Sequence, residues 1–134
     1  MNRVILIVDD DEEMRLVLRR VLEPLGEIVE ASNGKDGLRL LADAKPDLMV
    51  LDVTMPGMDG LEVLKAARAV APLLPVVMLT GGSDISTAKT ALDDGASAYM
   101  TKPFESEVLC AEIRRLINGA EGASAGGRPW SVRK

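Results

Sequence analysis

The chain is organised around one short stretch, residues 48–60, which reads LMVLDVTMPGMDG. Its first four residues are apolar, which is too short a run for a helix and typical of a buried strand. Asp52 follows at the predicted carboxyl end of that strand, and a proline and two glycines then turn the chain. Because ligands bind at the carboxyl edge of an open α/β sheet, Asp52 is a candidate site residue. Taken alone, Asp52 is explained equally well as a residue that caps the turn.

Strands and helices alternate along the rest of the chain. Apolar runs predict strands at residues 4–8, 47–51, 75–79 and 98–101, and an alternating pattern predicts a further strand at 27–31. Helical spacing of apolar residues, with capping and stop signals, predicts helices up to residue 25, over 33–44, 60–70 and 83–94, and one that ends at Asn118-Gly119. This alternation predicts an α/β fold, a parallel sheet with right-handed crossovers between two layers of helices.

Length and composition indicate one globular domain. The 134 residues are 47% hydrophobic and 28% charged. We expect this domain to occupy residues 1–119, followed over residues 120–134 by a flexible, Gly- and Ala-rich tail or the start of a linker. The net charge of −5 argues against a direct nucleic-acid partner. With no apolar run long enough for a membrane span, no leader and the single Cys110, we expect a cytoplasmic protein without a membrane partner.

Polar residues follow the strands at similar places. Asp9 and Asp10 come directly after the first strand, Asp52 after the third, Thr80 after the fourth and Lys102 after the fifth. The carboxyl ends of parallel strands form one edge of a sheet, so these five residues are expected to converge there. Each has an ordinary explanation alone, such as a solvated loop lysine or a capping hydroxyl. Their joint placement favours a site.

The acidic run at residues 9–13 has a second explanation that applies to part of it. Carboxylates cap helices and suit the positive end of the helix dipole, by about 0.3–1 kcal/mol each. That explanation fits Asp11, Glu12 and Glu13, which lie at the predicted start of the first helix. It fits Asp9 and Asp10 poorly, because they lie nearer the sheet edge.

Three converging carboxylates predict a cation between them. Carboxylates repel one another, and a bound divalent ion removes the repulsion. The chain contains no histidine and one distant cysteine, so its oxygen donors favour Mg²⁺ or Mn²⁺ over zinc. A lysine and a hydroxyl beside such an ion suit a phosphoryl group, and one carboxylate can act as its nucleophile. The absence of histidine also excludes phosphohistidine chemistry on this chain.

Four motifs, in this order, resemble those of a bacterial response-regulator receiver domain. They are IVDD at residues 7–10, DVTMPGMDG at 52–60, LTG at 79–81 and KPF at 102–104. The resemblance covers residues 3 to about 119 and implies a flavodoxin-like sheet with strand order 2-1-3-4-5, similar to that of the chemotaxis response regulator. It implies a signalling switch of two-component or phosphorelay systems rather than an enzyme.

The resemblance also implies a role for each polar residue of the edge. Asp52 would accept a phosphoryl group from a sensor histidine kinase or a histidine phosphotransfer protein. Asp10, Asp52 and the backbone carbonyl of Thr54 would bind Mg²⁺ directly, and Asp9 would hold it through water. Lys102 would pair with the phosphoryl oxygens. The chain's own chemistry would then be limited to this phosphotransfer and to autodephosphorylation.

A switch is implied around the fourth and fifth strands. Thr80 would move to hydrogen-bond the phosphoryl group, Tyr99 would turn inward, and the face Ser83–Asn118 would change. Pro103 would follow a cis peptide bond. One hydrogen bond to a charged group contributes about 1.5–3 kcal/mol, whereas a shift from 1:99 to 99:1 needs about 5.5 kcal/mol. We therefore expect a graded shift, completed by an unknown downstream protein target or by phosphorylation-dependent homodimerisation.

Other functions compete with this interpretation. A receiver-like binding module that works without phosphorylation would lose the acidic pair, the acceptor or the lysine, and this chain keeps all of them. An aspartate-nucleophile phosphohydrolase would carry a second aspartate where Thr54 stands. A nucleotide-binding fold would show a Gly-rich loop after the first strand, which is absent here. We expect a stand-alone receiver rather than one from which an effector domain has been removed.

Overall fold

The computed structural model describes residues 3–53, Met55, 59–81 and 85–123. Five strands alternate with five helices in this part of the chain: β1 Val4–Val8, α1 Glu12–Leu22, β2 Glu27–Ala31, α2 Gly34–Ala44, β3 Leu48–Asp52, α3 Gly60–Val70, β4 Val76–Thr80, α4 Ile85–Asp93, β5 Ala98–Thr101 and α5 Ser106–Ala123. A single 3-10 turn, Glu23–Leu25, follows α1. Within the described residues, no helix has both the length and the apolar character that a bilayer crossing requires.

The strands form one parallel sheet in the order β2-β1-β3-β4-β5. This confirms the predicted flavodoxin-like α/β fold. The register pairs Val8 with Leu51, Asp52 with Leu79, and Thr80 with Thr101. The strands therefore end close to one another at one edge of the sheet, with β3 in the middle.

Helices cover both faces of the sheet, and each face has its own apolar core. One core joins Ile5 and Ile7 of β1 to buried side chains of α1 and α5, namely Leu18, Leu22, Leu109, Ile113 and Ile117. The other joins Leu6 and Val8 to buried side chains of α2, α3 and α4, namely Leu41, Val63, Leu64, Ala67 and Ala91. Because successive residues of a strand point to opposite faces, β1 has to be apolar throughout.

Several boundaries differ from the prediction. β3 includes Asp52 and β4 includes Thr80, because the ladder continues one residue further: the Val53 amide donates to the Leu79 carbonyl at 2.9 Å. The predicted end of the last helix at Asn118-Gly119 is wrong, since α5 continues to Ala123. A glycine costs only about 1 kcal/mol inside a helix, and the alanines that follow favour helix. The predicted helix start at residues 83–84 lies outside the described residues.

Arg68 connects three segments at the edge of the sheet opposite the strand carboxyl ends. Its guanidinium donates to the Gly95 carbonyl from Nε at 3.0 Å and from Nη2 at 2.7 Å, and to the Ala71 carbonyl at 3.0 Å. Gly95 has a φ of +107°, and a Cβ there would lie 2.8 Å from Nε of Arg68. Burial lowers the pKa of Arg68 from its ordinary value. Backbone carbonyls thus take the place of the water that the buried guanidinium has lost. The same hydrogen bonds fix the turn before β5.

We expect Arg68→Met to lower the free energy of unfolding by about 2 kcal/mol, because it leaves the Gly95 and Ala71 carbonyls without these donors. Urea unfolding followed by circular dichroism measures the change. Arg39→Met is the matched control, since Arg39 is 66% exposed and pairs only with Asp36 among the described residues. The control should stay within about 0.5 kcal/mol of the wild type. Equal effects of the two substitutions would contradict this role for Arg68.

Candidate functional site

The strand carboxyl ends bring the five predicted residues to one edge of the sheet, four of them at the strand ends themselves and Asp10 in the loop beside Asp9. Asp9 follows β1, Asp52 ends β3, Thr80 ends β4 and Lys102 follows β5. Asp9, Asp52 and Thr80 are buried, with at most 6% of each residue exposed. Asp10, beside Asp9, is exposed. Buried charged or polar side chains therefore stand at the carboxyl ends of three neighbouring strands, β1, β3 and β4.

Each polar group of Asp9 has a partner. Its amide donates to the Ala31 carbonyl at 3.1 Å, which extends the β1–β2 ladder. Its Oδ1 accepts from the Asp11 amide at 2.9 Å, and its Oδ2 accepts from Lys102 Nζ at 3.1 Å. Its carbonyl accepts from Arg15 Nη1 at 2.7 Å. These contacts together hold the side chain and the backbone of Asp9 in a single arrangement.

Asp11 has the structural role that the sequence suggested for it. It precedes α1 as the N-cap residue, and its carboxylate accepts from the Glu13 amide at 3.0 Å. Glu12 and Glu13 occupy the first turn of α1, where the helix dipole favours negative charge. The acidic run is thus divided, and only its first two residues belong to the cluster at the sheet edge.

Lys102 is the cation of this cluster. Its Nζ lies 3.1 Å from Asp9 Oδ2 and 3.6 Å from Asp52 Oδ1. Its amide donates to the Thr80 carbonyl at 2.6 Å, which fixes the start of the loop after β5 against the end of β4. The Lys102–Pro103 peptide bond is cis, which confirms that prediction. One ammonium group therefore faces two buried carboxylates.

The donor set suits a divalent cation. One carboxylate oxygen from each of Asp9, Asp10 and Asp52 lies within 4.8 Å of the others. Three carboxylates facing one ammonium group leave two negative charges uncompensated, which is the charge of one divalent ion. All the donors are hard oxygens, as Mg²⁺ and Mn²⁺ prefer. The predicted fourth ligand, the Thr54 carbonyl, lies outside the described residues.

Tyr99 and Thr80 lie on neighbouring strands, β5 and β4. The Tyr99 ring packs against the core that covers the α2 and α3 face. Its hydroxyl is buried and has no hydrogen-bond partner among the described residues. A buried hydroxyl without a partner costs free energy. The hydroxyl of Tyr99 is buried, whereas the residue as a whole is partly exposed.

The sequence prediction overlooked Arg15. It is the second basic contact of the site, through the Asp9 carbonyl, and its Nε also donates to Glu30 Oε1 at 3.3 Å. Arg19, one helical turn later, contacts the other oxygen of Glu30. The spacing of the two arginines by four residues is visible in the sequence and places both on one face of a helix. The contact of Arg15 with the Asp9 carbonyl is not visible in the sequence, because it depends on the loop conformation.

Comparisons with known proteins agree with this geometry. The family model of the response regulator receiver domain matches residues 5–114. The response regulator MprA of Mycolicibacterium vanbaalenii is 45% identical over 114 residues, which cover 84% of this chain and 49% of that protein. The chain therefore spans about half the length of the curated relatives that it matches.

Solved structures show the same fold. A CheY-like response regulator receiver domain from Methanospirillum hungatei superposes with a TM-score of 0.88 at 28% identity, covering 92% of this chain and 99% of that one. A receiver domain from Clostridium thermocellum gives a TM-score of 0.86 at 28% identity, covering 90% and 98%. The chain belongs to the response regulator receiver domain family. Its class is that of signalling switches of two-component systems.

Proposed function

We propose that this receiver accepts a phosphoryl group on Asp52 in a Mg²⁺-dependent reaction. The observation that carries the proposal is the cluster of three carboxylates within 4.8 Å, together with Lys102 Nζ at 3.1 Å from Asp9 and 3.6 Å from Asp52. The donor would be a phosphohistidine of a sensor histidine kinase or of a phosphotransfer protein. Asp9, Asp10, Asp52 and the Thr54 carbonyl would hold Mg²⁺, or Mn²⁺ in its place.

Each residue of the site has a separate role in the proposed phosphoryl transfer. An oxygen of Asp52 attacks the phosphorus atom, and the bond from phosphorus to the histidine nitrogen breaks with its electron pair going to nitrogen. An acyl phosphate forms, and histidine leaves as the neutral imidazole because its other ring nitrogen carries a proton. When bound, the metal ion would neutralise charge on the phosphoryl oxygens. Lys102 pairs with one of these oxygens, and the Thr80 hydroxyl donates to another. Burial of Asp52 keeps its carboxylate weakly hydrated and aimed at the edge.

The output of the proposed reaction is a change of the face Ser83–Asn118. The phosphoryl group carries about 1.5 to 2 negative charges and replaces the single charge of the Asp52 carboxylate, so the net gain beside Lys102 is about one negative charge at most. The Lys102 amide donates to the Thr80 carbonyl, so a movement of Thr80 displaces the end of β5 and the loop after it. Exposed Leu92 and Val108 lie on this face and offer apolar area to a protein target or to a second copy. A cytoplasmic location of this receiver belongs to the same proposal.

Acetyl phosphate with and without Mg²⁺ tests the proposal, because it supplies a phosphoryl group without a kinase. With Mg²⁺, intact mass should show a gain of one phosphoryl group per chain. Chelation of the metal with EDTA should remove the gain, since the carboxylate cluster then repels the incoming phosphate. A chain that gains nothing with Mg²⁺ would instead be a binding module that works without phosphorylation. Multiple turnover of a phosphate ester would point to a phosphohydrolase.

A further inference from the structure

Asp10 lies between two anchored peptide groups. The peptide before it presents the Asp9 carbonyl to Arg15 Nη1 at 2.7 Å. The peptide after it presents the Asp11 amide to Asp9 Oδ1 at 2.9 Å. Because a peptide unit is planar, fixing one of its polar atoms fixes the direction in which the chain enters the next residue. The exposed Asp10 carboxylate is thereby aimed by contacts that it does not itself make.

Arg15 is itself held by Glu30 of β2. Its side chain is 16% exposed, and its Nε donates to Glu30 Oε1 at 3.3 Å on β2. The amide of Asp9 donates to Ala31, the residue after Glu30. Arg15 therefore connects α1, β2 and the loop after β1 through one planar guanidinium. A lysine cannot reproduce this, because an ammonium group lacks the fixed fork of donors.

From these contacts we propose that Arg15 is a positioning residue for the metal ligand Asp10. Its guanidinium holds the Asp9–Asp10 peptide, and through it keeps the Asp10 carboxylate within reach of Asp52. The inference rests on the proposed function, because it concerns the same Mg²⁺ site. Residues that orient metal ligands typically contribute about 10- to 100-fold to metal affinity.

Coulomb interactions alone predict the opposite change in Mg²⁺ affinity when Arg15 is removed. The Arg15 guanidinium is a cation near the cluster, so its removal would strengthen the binding of Mg²⁺ if only Coulomb interactions mattered. Positioning predicts weaker binding, because Asp10 would then sample orientations away from the other carboxylates. The direction of the change in Mg²⁺ affinity therefore separates the two effects.

Calorimetric titration of the protein with Mg²⁺ alone tests the proposal. Arg15→Met should raise the dissociation constant about tenfold or more, and Arg15→Lys should raise it by an intermediate factor. Arg19→Met is the matched control: it removes the other arginine on Glu30, and no contact with Asp9 involves Arg19 among the described residues. The control should stay within about twofold of the wild type.

A second readout separates positioning from general loss of structure. In phosphorylation by acetyl phosphate, Arg15→Met should raise the Mg²⁺ concentration for half-maximal rate while the rate at saturating Mg²⁺ stays near that of the wild type. If Arg15→Met does not fold by circular dichroism, Arg15→Lys carries the test. Unchanged or tighter Mg²⁺ binding in the folded variant overturns the positioning role and leaves the proposed function intact. A wild-type chain that binds no Mg²⁺ overturns both.

Discussion

Asp52→Asn is expected to abolish phosphoryl uptake from acetyl phosphate. The amide oxygen is a poor nucleophile, and the substitution keeps the size of the side chain, so the loss should be complete without a change of fold. Asp52 pairs with Lys102 at 3.6 Å, but Lys102 keeps its nearer contact with Asp9 at 3.1 Å. Removing one of three mutually repelling carboxylates should therefore leave the free energy of unfolding unchanged or raise it.

Intact mass after incubation with acetyl phosphate and Mg²⁺ measures this outcome. Asp43→Asn is the control, since Asp43 is an exposed residue of α2 away from the sheet edge, and it should be phosphorylated like the wild type. Full uptake by the Asp52→Asn variant would place the acceptor elsewhere. Thermal unfolding of both variants shows whether any loss of uptake has a structural origin.

Gly60→Ala is expected to cause the largest loss of stability among these substitutions. A Cβ at Gly60 would lie 2.3 Å from the Asp52 carbonyl oxygen and 2.6 Å from Val53 Cα, and both are backbone atoms. The Gly60 amide also donates to the Val53 carbonyl at 2.8 Å. The start of α3 must move away from β3 to relieve the clash. We expect a decrease of about 3 kcal/mol or more in the free energy of unfolding.

Gly119→Ala is the matched control for this substitution. Gly119 lies inside α5, and among the described residues a Cβ there would meet no atom within 4 Å beyond its own stretch of helix. The same change from glycine to alanine should therefore raise the free energy of unfolding, by about 0.5–1 kcal/mol, through helix propensity. Urea unfolding of both variants compares them directly. Similar free energies of unfolding for the two variants would show that α3 can shift at little cost.

The strands and the site residues could be predicted because their signals are local. β1, β2 and β5 were predicted with the bounds that the structure has. β1 and β5 are short, mainly apolar runs and β2 is a short alternating segment, and turn signals flank them. The convergence of Asp9, Asp52 and Lys102 followed from a general property of parallel sheets, whose carboxyl ends share an edge. No knowledge of side-chain contacts was needed for either result.

The contacts of arginines could not be predicted in this way. Arg68 and Arg15 both donate to backbone carbonyls in loops, and the direction of a loop carbonyl depends on dihedral angles that the residue types leave open. The end of α5 was missed for another reason. Gly119 is a frequent stop signal, but the residues after it favour helix strongly enough to continue. The strand order came from the family resemblance, because periodicity does not contain it.

The contact between Lys102 and Asp9 joins residues that are 93 positions apart in the chain. The entropic cost of closing so long a loop is met only once β5 has docked beside β4. Synthesis proceeds from the amino terminus, so the acidic residues that follow β1 and end β3 leave the ribosome well before their lysine. A nascent chain thus holds the carboxylates without their intramolecular cation. On the proposed chemistry, the ability to take up a phosphoryl group arises only when folding is complete.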